Sequence, residues 1–368
     1  PGSQDEGERS TLENTLYRIN LPHKPGDKFC KASSCTDTIL YVPLETTKES
    51  LFGNPVFSAM NEDYIVVSDR HKILVFDYAG KFIRKIGRTG KGPGEFGVIA
   101  NFILKNDTLF ISSGKLGIDK YTLDGKYWGF TKLNCNLMYF CAMEDGGYAW
   151  YDYYSGKVIY FNNQWEATDT LQVEYNLSKY RPFFITVEYD DKYLVKSGSQ
   201  LLFKTYNNDT IFDITEKERK PAIILNFGNK LLPDHLTFEN VQDNNKFKKV
   251  AGSYLRFNLL QTDSFVYIIK RGYDRLKIGT SLSVYNRNTE EVKEYQTGHI
   301  KDDYKGDAPL MSFMYSATNP NTLVTLYPYG MVKQAYERST PEAKEFWKQK
   351  LSNMDENSNP LLVIIKLK

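Results

Sequence analysis

Short runs rich in β-branched and aromatic residues alternate with polar, turn-forming clusters along most of this chain, the pattern of strands rather than helices. Asn61-Glu62-Asp63-Tyr64-Ile65 reads as a turn entering a strand. Ile73 to Tyr78 is a second strand, and Ala79-Gly80-Lys81 turns the chain into a third that ends near Ile86. A loop follows with glycine at 87, 90, 92 and 94 and proline at 93. Glycine tolerates positive φ and proline holds φ near −65°, so such a loop makes abrupt reversals that other residues resist.

The unit recurs. Asn106-Asp107-Thr108-Leu109-Phe110 lies 45 positions after Asn61 to Ile65, and Leu123-Asp124-Gly125-Lys126 lies 45 after Tyr78-Ala79-Gly80-Lys81. Asn208-Asp209-Thr210-Ile211-Phe212 is a further echo. Asn and Asp side chains bond backbone amides two residues on, which explains each turn. The period needs a fold, and about 40–50 residues of strands and turns is the period of a β-propeller blade.

On this reading blade one runs from about Pro55 to Arg88, blade two from Ala100 to Leu133, and blade three from Leu137 to Val173. Blade four holds Leu201 to Tyr206, Thr210 to Ile214 and Ala222 to Phe227, with surplus strand material from Phe183 to Lys196. Blade five covers Tyr254 to Gln296, and blade six starts near Leu310, includes Thr322 to Leu326 and resumes at Leu361 to Leu367. That last blade lacks one strand, and the isolated strand Thr38 to Glu45 is expected to supply it, closing the ring and removing a sheet edge. The expected fold is therefore an all-β, six-bladed β-propeller of four-stranded antiparallel blades over residues 38–368. Residues 1–37 form a partly ordered arm with at most one short strand, Leu16 to Leu21. Within blade six, 331–359 reads as a helical insertion: Ser339-Thr340-Pro341-Glu342 is a helix start, and Phe346, Trp347 and Leu351 share one side.

Composition agrees. The 368 residues suit one propeller of six or seven blades, and 27 Tyr and 22 Phe suit the wedge-shaped packing between blades. With 47 basic and 45 acidic side chains, the basic excess of a nucleic-acid binder is missing. No apolar run approaches the roughly 20 residues that span a bilayer. Pro1-Gly2-Ser3 reads as a cloning remnant, so an export signal upstream is compatible with the chain. Cys30 and Cys35 are candidates for a disulfide in an oxidising compartment, with buried thiols as the alternative. Cys135 and Cys141 lack metal-ligand spacing, and Cys141 falls in an alternating run suited to packing.

The loop Gly87 to Phe96 resembles the Gly-x-x-Gly-x-Gly-Pro-Gly-Glu-Phe signature of six-bladed propellers related to the NHL-repeat group. Tyr41-Val42-Pro43-Leu44-Glu45-Thr46-Thr47, Asn208 to Phe212 and Asp355-Glu356-Asn357-Ser358-Asn359-Pro360-Leu361 look like a branch of lipoproteins from Gram-negative gut anaerobes, mostly without assigned function. The similarity spans residues 38–368. It implies an exported protein of the cell envelope, periplasmic or at the outer membrane, touching the membrane only through a lipid on a cysteine upstream of this sequence.

Chemistry is sparse. Gly92-Pro93-Gly94-Glu95-Phe96-Gly97 matches G-x-G-x-x-G, but a strand-like run follows where a nucleotide site needs a helix, and Pro93 offers no amide. The histidines His23, His71, His235 and His299 are scattered, no G-x-S-x-G elbow occurs, and Asp190-Asp191 and Asp302-Asp303 read as turn formers. No cofactor or metal is expected. Propeller winding places Asp69, Arg70 and His71 beside Arg88, Lys91 and Glu95 at the channel mouth. The same winding brings the loop carrying Arg271, Tyr273 and Arg275, and the loop carrying Tyr327 and Tyr329, to that face. Tyrosine and arginine recur at binding hot spots, so the candidate rim suits a peptide, a glycan or an outer-membrane protein partner. A solvated polar rim, with the tyrosines packing the insertion, is the plainer account. The expected function is an exported binding or scaffolding module, expected to be a monomer. The alternative is a propeller lyase or hydrolase acting on an extracellular peptide or polysaccharide.

Overall fold

A computed structural model describes residues 16–21, 26–53, 57–135, 139–152, 155–173, 193–205, 208–232, 251–272, 278–305, 308–310, 315–316 and 321–368. The N-terminal segment holds β1 (Tyr17–Asn20), β2 (Cys30–Lys31), helix α1 (Ala32–Cys35) and β3 (Thr36–Pro43). Blade one is β4 (Phe57–Met60), β5 (Tyr64–Ser68), β6 (Ile73–Asp77) and β7 (Phe82–Ile86), an antiparallel sheet in that order. Its crossover carries a small parallel ladder of β8 (Arg88–Thr89) and β9 (Glu95–Phe96). Blade two is β10 (Asn101–Lys105), β11 (Thr108–Ser112), β12 (Gly117–Thr122) and β13 (Tyr127–Lys132). Blade three is β14 (Tyr139–Ala142), β15 (Tyr148–Asp152), β16 (Lys157–Phe161) and β17 (Ala167–Gln172). Blade four follows as β18 (Leu194–Ser197), β19 (Gln200–Phe203), β20 (Thr210–Asp213) and β21 (Lys220–Asn226). Blade five is β22 (Leu255–Gln261), β23 (Phe265–Gly272), β24 (Thr280–Asn286) and β25 (Val292–Tyr295). After β26 (Ile300–Asp302) and β27 (Ala308–Leu310), blade six comprises β28 (Tyr315–Ser316), β29 (Thr322–Tyr327), β30 (Leu361–Leu367) and the N-terminal β3.

The chain is thus a six-bladed propeller, and its first strands adjoin around a ring: β4 with β10, β10 with β14, β14 with β18, β18 with β22, and β28 with β4. Its cores lie between blades. In β10, Phe102 and Leu104 join Val75, Ile86 and Tyr121 in the core shared with blade one, while Ile103 joins Trp150 and Trp165 in the core shared with blade three. Period-two alternation sends neighbouring side chains into two different interfaces. Inner strands therefore read as continuous apolar runs.

Ring closure follows the sequence expectation. β3 pairs antiparallel with β30, Tyr41 opposite Val363 and Pro43 opposite Leu361, so both ends of the chain build blade six. The strand begins two residues earlier than the apolar run suggested, at Thr36, after a register shift. Two pairings were not legible in the sequence: β1 adds in parallel to β21 as a fifth strand of blade four, and β2 pairs in parallel with β26. The strand material expected from Phe183 lies outside the described residues up to 192.

The insertion is helical: α2 (Tyr329–Arg338) and α3 (Pro341–Leu351) separate β29 from β30. Pro341 takes the first helical position, where its missing N–H costs nothing. Trp347 is fully buried, edge-on to Tyr41 at 5.3 Å and stacked over Tyr327 at 6.2 Å, and its indole N–H donates to the Lys305 carbonyl at 2.7 Å. Cys30 and Cys35 are buried free thiols rather than a disulfide, the Cys30 Sγ donating to the Cys35 Sγ at 3.5 Å. Among the described residues no helix is long and apolar enough to cross a membrane.

Candidate functional site

Strands of a blade run alternately, so the link between second and third strands leaves the same end of the sheet as the crossover to the next blade. The structure brings these two loops together at blade one. The Thr89 hydroxyl donates to the His71 carbonyl at 2.8 Å, and the Ile99 amide donates to the Arg70 carbonyl at 2.8 Å. Arg70 takes a left-handed φ of 76°, and the Asp69 carboxylate holds the turn by accepting from the amides of Gly53, His71 and Lys72 at 2.9, 3.0 and 2.9 Å. Burial pushes the Asp69 carboxyl up, but those three amides outweigh it and leave the group below its ordinary range.

Glu95 does the same for the glycine-rich crossover. Its carboxylate accepts from the Gly92 amide at 2.8 Å and pairs with Arg88 at 2.7 Å, and the Gly92 amide is the main reason its pKa is lowered. Gly87, at φ 58°, passes so close to the core that a Cβ there would meet Phe96 at 2.6 Å and the Tyr121 hydroxyl at 2.9 Å. The Tyr121 hydroxyl in turn donates to the Gly94 carbonyl at 2.6 Å. The loop is a crossover between blades, anchored by the buried Phe96, and its glycines serve geometry. Arg88, with 75% of its side chain exposed, Lys91 and His71 are what it presents to solvent.

Lys115 and Asp119 extend this rim and were missed in the sequence. The Lys115 ammonium donates to the Glu95 carbonyl at 2.5 Å and pairs with the buried Asp119 carboxylate at 3.0 Å. A signal existed: the 45-residue offset applied to Arg70 lands on Lys115 in the corresponding link of blade two.

Other expected rim residues are placed differently. Arg271 is not on an exposed loop. It lies in β23 with 6% exposure, opposite Arg256 of β22. Burial, then the Arg271 charge, keep the His299 imidazole below its ordinary pKa. Tyr273 and Arg275 lie outside the described residues. Tyr327 is not at a loop surface either: it ends β29, 1% exposed, beneath Trp347. Tyr329 is the half-buried first residue of α2. Both tyrosines belong to the seat of the insertion.

That seat contains Asp302, which sequence reading took for a simple turn former. Its carboxylate does accept from the Tyr304 and Lys305 amides, at 3.0 and 3.1 Å, yet it is fully buried and also accepts from the Tyr41 hydroxyl. Burial pushes this carboxyl up to about 6. Among the described residues, no three His, Cys, Asp or Glu side chains converge as a metal-ligand set.

A family model described as a domain of unknown function, DUF4934, matches residues 16–366. No curated protein sequence matches the chain. Among solved structures, a candidate exported protein from Bacteroides fragilis is 16% identical, with 96% of this chain and 100% of that one covered at a TM-score of 0.72. A DUF4221 family member from Bacteroides vulgatus is 10% identical, with 90% and 97% covered at a TM-score of 0.51. A virginiamycin B lyase from Staphylococcus aureus is 11% identical, with 70% and 74% covered at a TM-score of 0.42, too distant to bear on this chain. At these identities the first two likenesses concern the fold.

Proposed function

This chain belongs to the DUF4934 family, and from that premise we propose that it is an exported binding module. It recognises an anionic group of a peptide, a glycan or an outer-membrane protein through the rim of blades one and two. One observation carries this reading. The rim carboxylates Asp69 and Glu95 are committed to backbone amides and held below their ordinary pKa, and Asp119 is paired with Lys115, while Arg88 and Lys91 are exposed. Carboxylates held in that way are poor general bases at neutral pH, whereas exposed cations suit an acidic ligand. The competing lyase or hydrolase needs a base aimed at a bound substrate, and the rim carboxylates among the described residues are all committed to other partners. Export, and a lipid anchor in the envelope, are supported by the lipoprotein-like segments at Tyr41 to Thr47 and Asp355 to Leu361. The Bacteroides fragilis protein that shares the fold supports export as well.

The test is binding of polygalacturonate, poly-glutamate and neutral dextran to the purified protein. Preference for an acidic polymer is expected, falling about tenfold or more in Arg88→Ala/Lys91→Ala and weakening with salt. Equal binding by that double variant, or cleavage of any of the polymers, overturns the reading.

A further inference from the structure

The outer strands of blades one to four share a bulge. The ladder skips one residue at the steps Val75/Phe76, Lys120/Tyr121, Tyr160/Phe161 and Ile211/Phe212. The skipped residues are Ile83, Trp128, Thr168 and Ala222. A bulge re-aims the side chain that it releases from the ladder. Three blades place there an isoleucine half-buried against the blade core, a threonine or a buried alanine. Blade two instead places a tryptophan with 65% of its surface exposed. Leu116 and Phe130, 52% and 40% exposed, belong to the same blade, with Lys115 over the Phe130 ring. Large apolar groups collected on one element of a folded surface mark an interaction site.

The backbone beside Trp128 is equally open. The sheet order of blade two ends at β13, and among the described residues no strand pairs with its outer edge. A Cβ built on Gly129, in the middle of the strand, would meet nothing within 4 Å, and glycine in a strand permits close approach of another backbone. The molecule shows what such an edge accepts. At blade four, β1 lies along the outer strand β21, Tyr17 opposite Ile223 through Asn20 opposite Asn226. Charge identifies the visitor to blade two. Lys126 precedes the strand and Lys132 ends it, both exposed, against one exposed carboxylate, Asp124, which accepts from the Thr122 hydroxyl within its turn, while Asp119 is buried against Lys115.

We propose that β13 is a docking edge for an extended, acidic segment of another polypeptide, which adds to blade two as a fifth strand and packs on Trp128. Main-chain hydrogen bonds along the edge supply affinity, and the aromatic and lysine side chains supply selectivity. Lys115 and Tyr127 join this edge to the crossover, but Trp128, Lys126 and Lys132 are not residues of the Arg88 and Lys91 rim, so each site is tested by its own variants.

The probe is a ten-residue synthetic peptide alternating glutamate and valine, with the lysine–valine permutation and neutral dextran as comparisons. Fluorescence anisotropy is expected to show binding of the glutamate peptide alone. Amide hydrogen exchange is expected to slow over residues 127–132. Trp128→Ala, at an exposed position, is expected to keep the wild-type melting temperature and lose affinity about tenfold or more. Lys126→Glu/Lys132→Glu supplies an independent loss of binding should the first variant fold poorly. These measurements are made in the Arg88→Ala/Lys91→Ala background, which removes the acidic-ligand rim, and peptide binding with protection of 127–132 is expected to persist there. No binding of the glutamate peptide, binding without protection of 127–132, or dextran binding that Trp128→Ala abolishes each overturns the proposal.

Discussion

Asp302 shows how a single residue carries chemistry that its sequence neighbourhood conceals. Asp302-Asp303 looks like an ordinary turn, and the turn bonds are present, but burial beneath Trp347 and Tyr327 comes from elements far along the chain. In the fold its carboxyl titrates near 6, against 3.8 for an unperturbed aspartate. The folded state therefore holds this proton more tightly than the unfolded chain. The stabilisation is complete below the unfolded value and is lost as pH rises through the folded one. Asp303, Tyr41, and the amides of Tyr304 and Lys305 face the group. Asp302→Asn is expected to flatten the stability profile between about pH 4 and 6, and to be more stable than wild type at pH 7 by up to roughly 2–3 kcal/mol. Urea unfolding across pH measures both. An unchanged slope in the variant assigns the titration elsewhere. Asp69, Glu95 and Asp303 do not confuse the comparison, because carboxyls held below their ordinary values lose their contribution only at lower pH.

At the scale of elements, the insertion was legible because helices announce themselves locally. Pro341 at a first turn and Phe346, Trp347 and Leu351 at helical spacing require no knowledge of the rest of the fold. What the helices rest on was not legible. Trp347 touches Tyr41 from the N-terminal strand, Tyr327 from blade six and the Lys305 carbonyl after blade five, three segments far apart in sequence. Trp347→Ala removes this junction and leaves a cavity with an unpaired carbonyl. A loss of about 3–5 kcal/mol is expected in denaturant titration. Hydrogen exchange should accelerate first across 329–351. A loss under about 1 kcal/mol would mean that the site collapses to fill the space. The same logic explains the misreading of Tyr327, since tyrosine next to Pro-Tyr-Gly looks like a loop until its stacking partner is known.

For the whole molecule, closure is the decisive feature, because β3 and β30 tie the two ends of the chain into one blade. Val363 is fully buried in β30, between Thr325 of β29 and Tyr41 of β3. Val363→Asp places an unpaired carboxylate there, and burying an unpaired charge is strongly destabilising. Trp150 and Trp165 are buried between blades two and three and report from elsewhere in the ring. Their fluorescence is expected to shift in the same single, early transition that circular dichroism detects. A tryptophan transition left at its wild-type midpoint while the rest melts would show that the blades unfold independently.

The residues by themselves determined the repeat, the strand-and-turn unit and the closing strand, because turn chemistry and apolar runs act over a few positions and leave a period of 45. They also determined that Gly87 to Phe96 is a crossover, since only glycine suits its turns and close contacts. Tertiary structure alone decided which titratable groups are committed. Asp69 is held by the Gly53 amide as well as those of its own turn, Glu95 by the Gly92 amide, Arg271 is buried within blade five, and Trp128 is released by a bulge that the repeat does not reveal. Burial and hydrogen-bond partners depend on which distant segments meet, and a sequence pattern read locally does not contain that information.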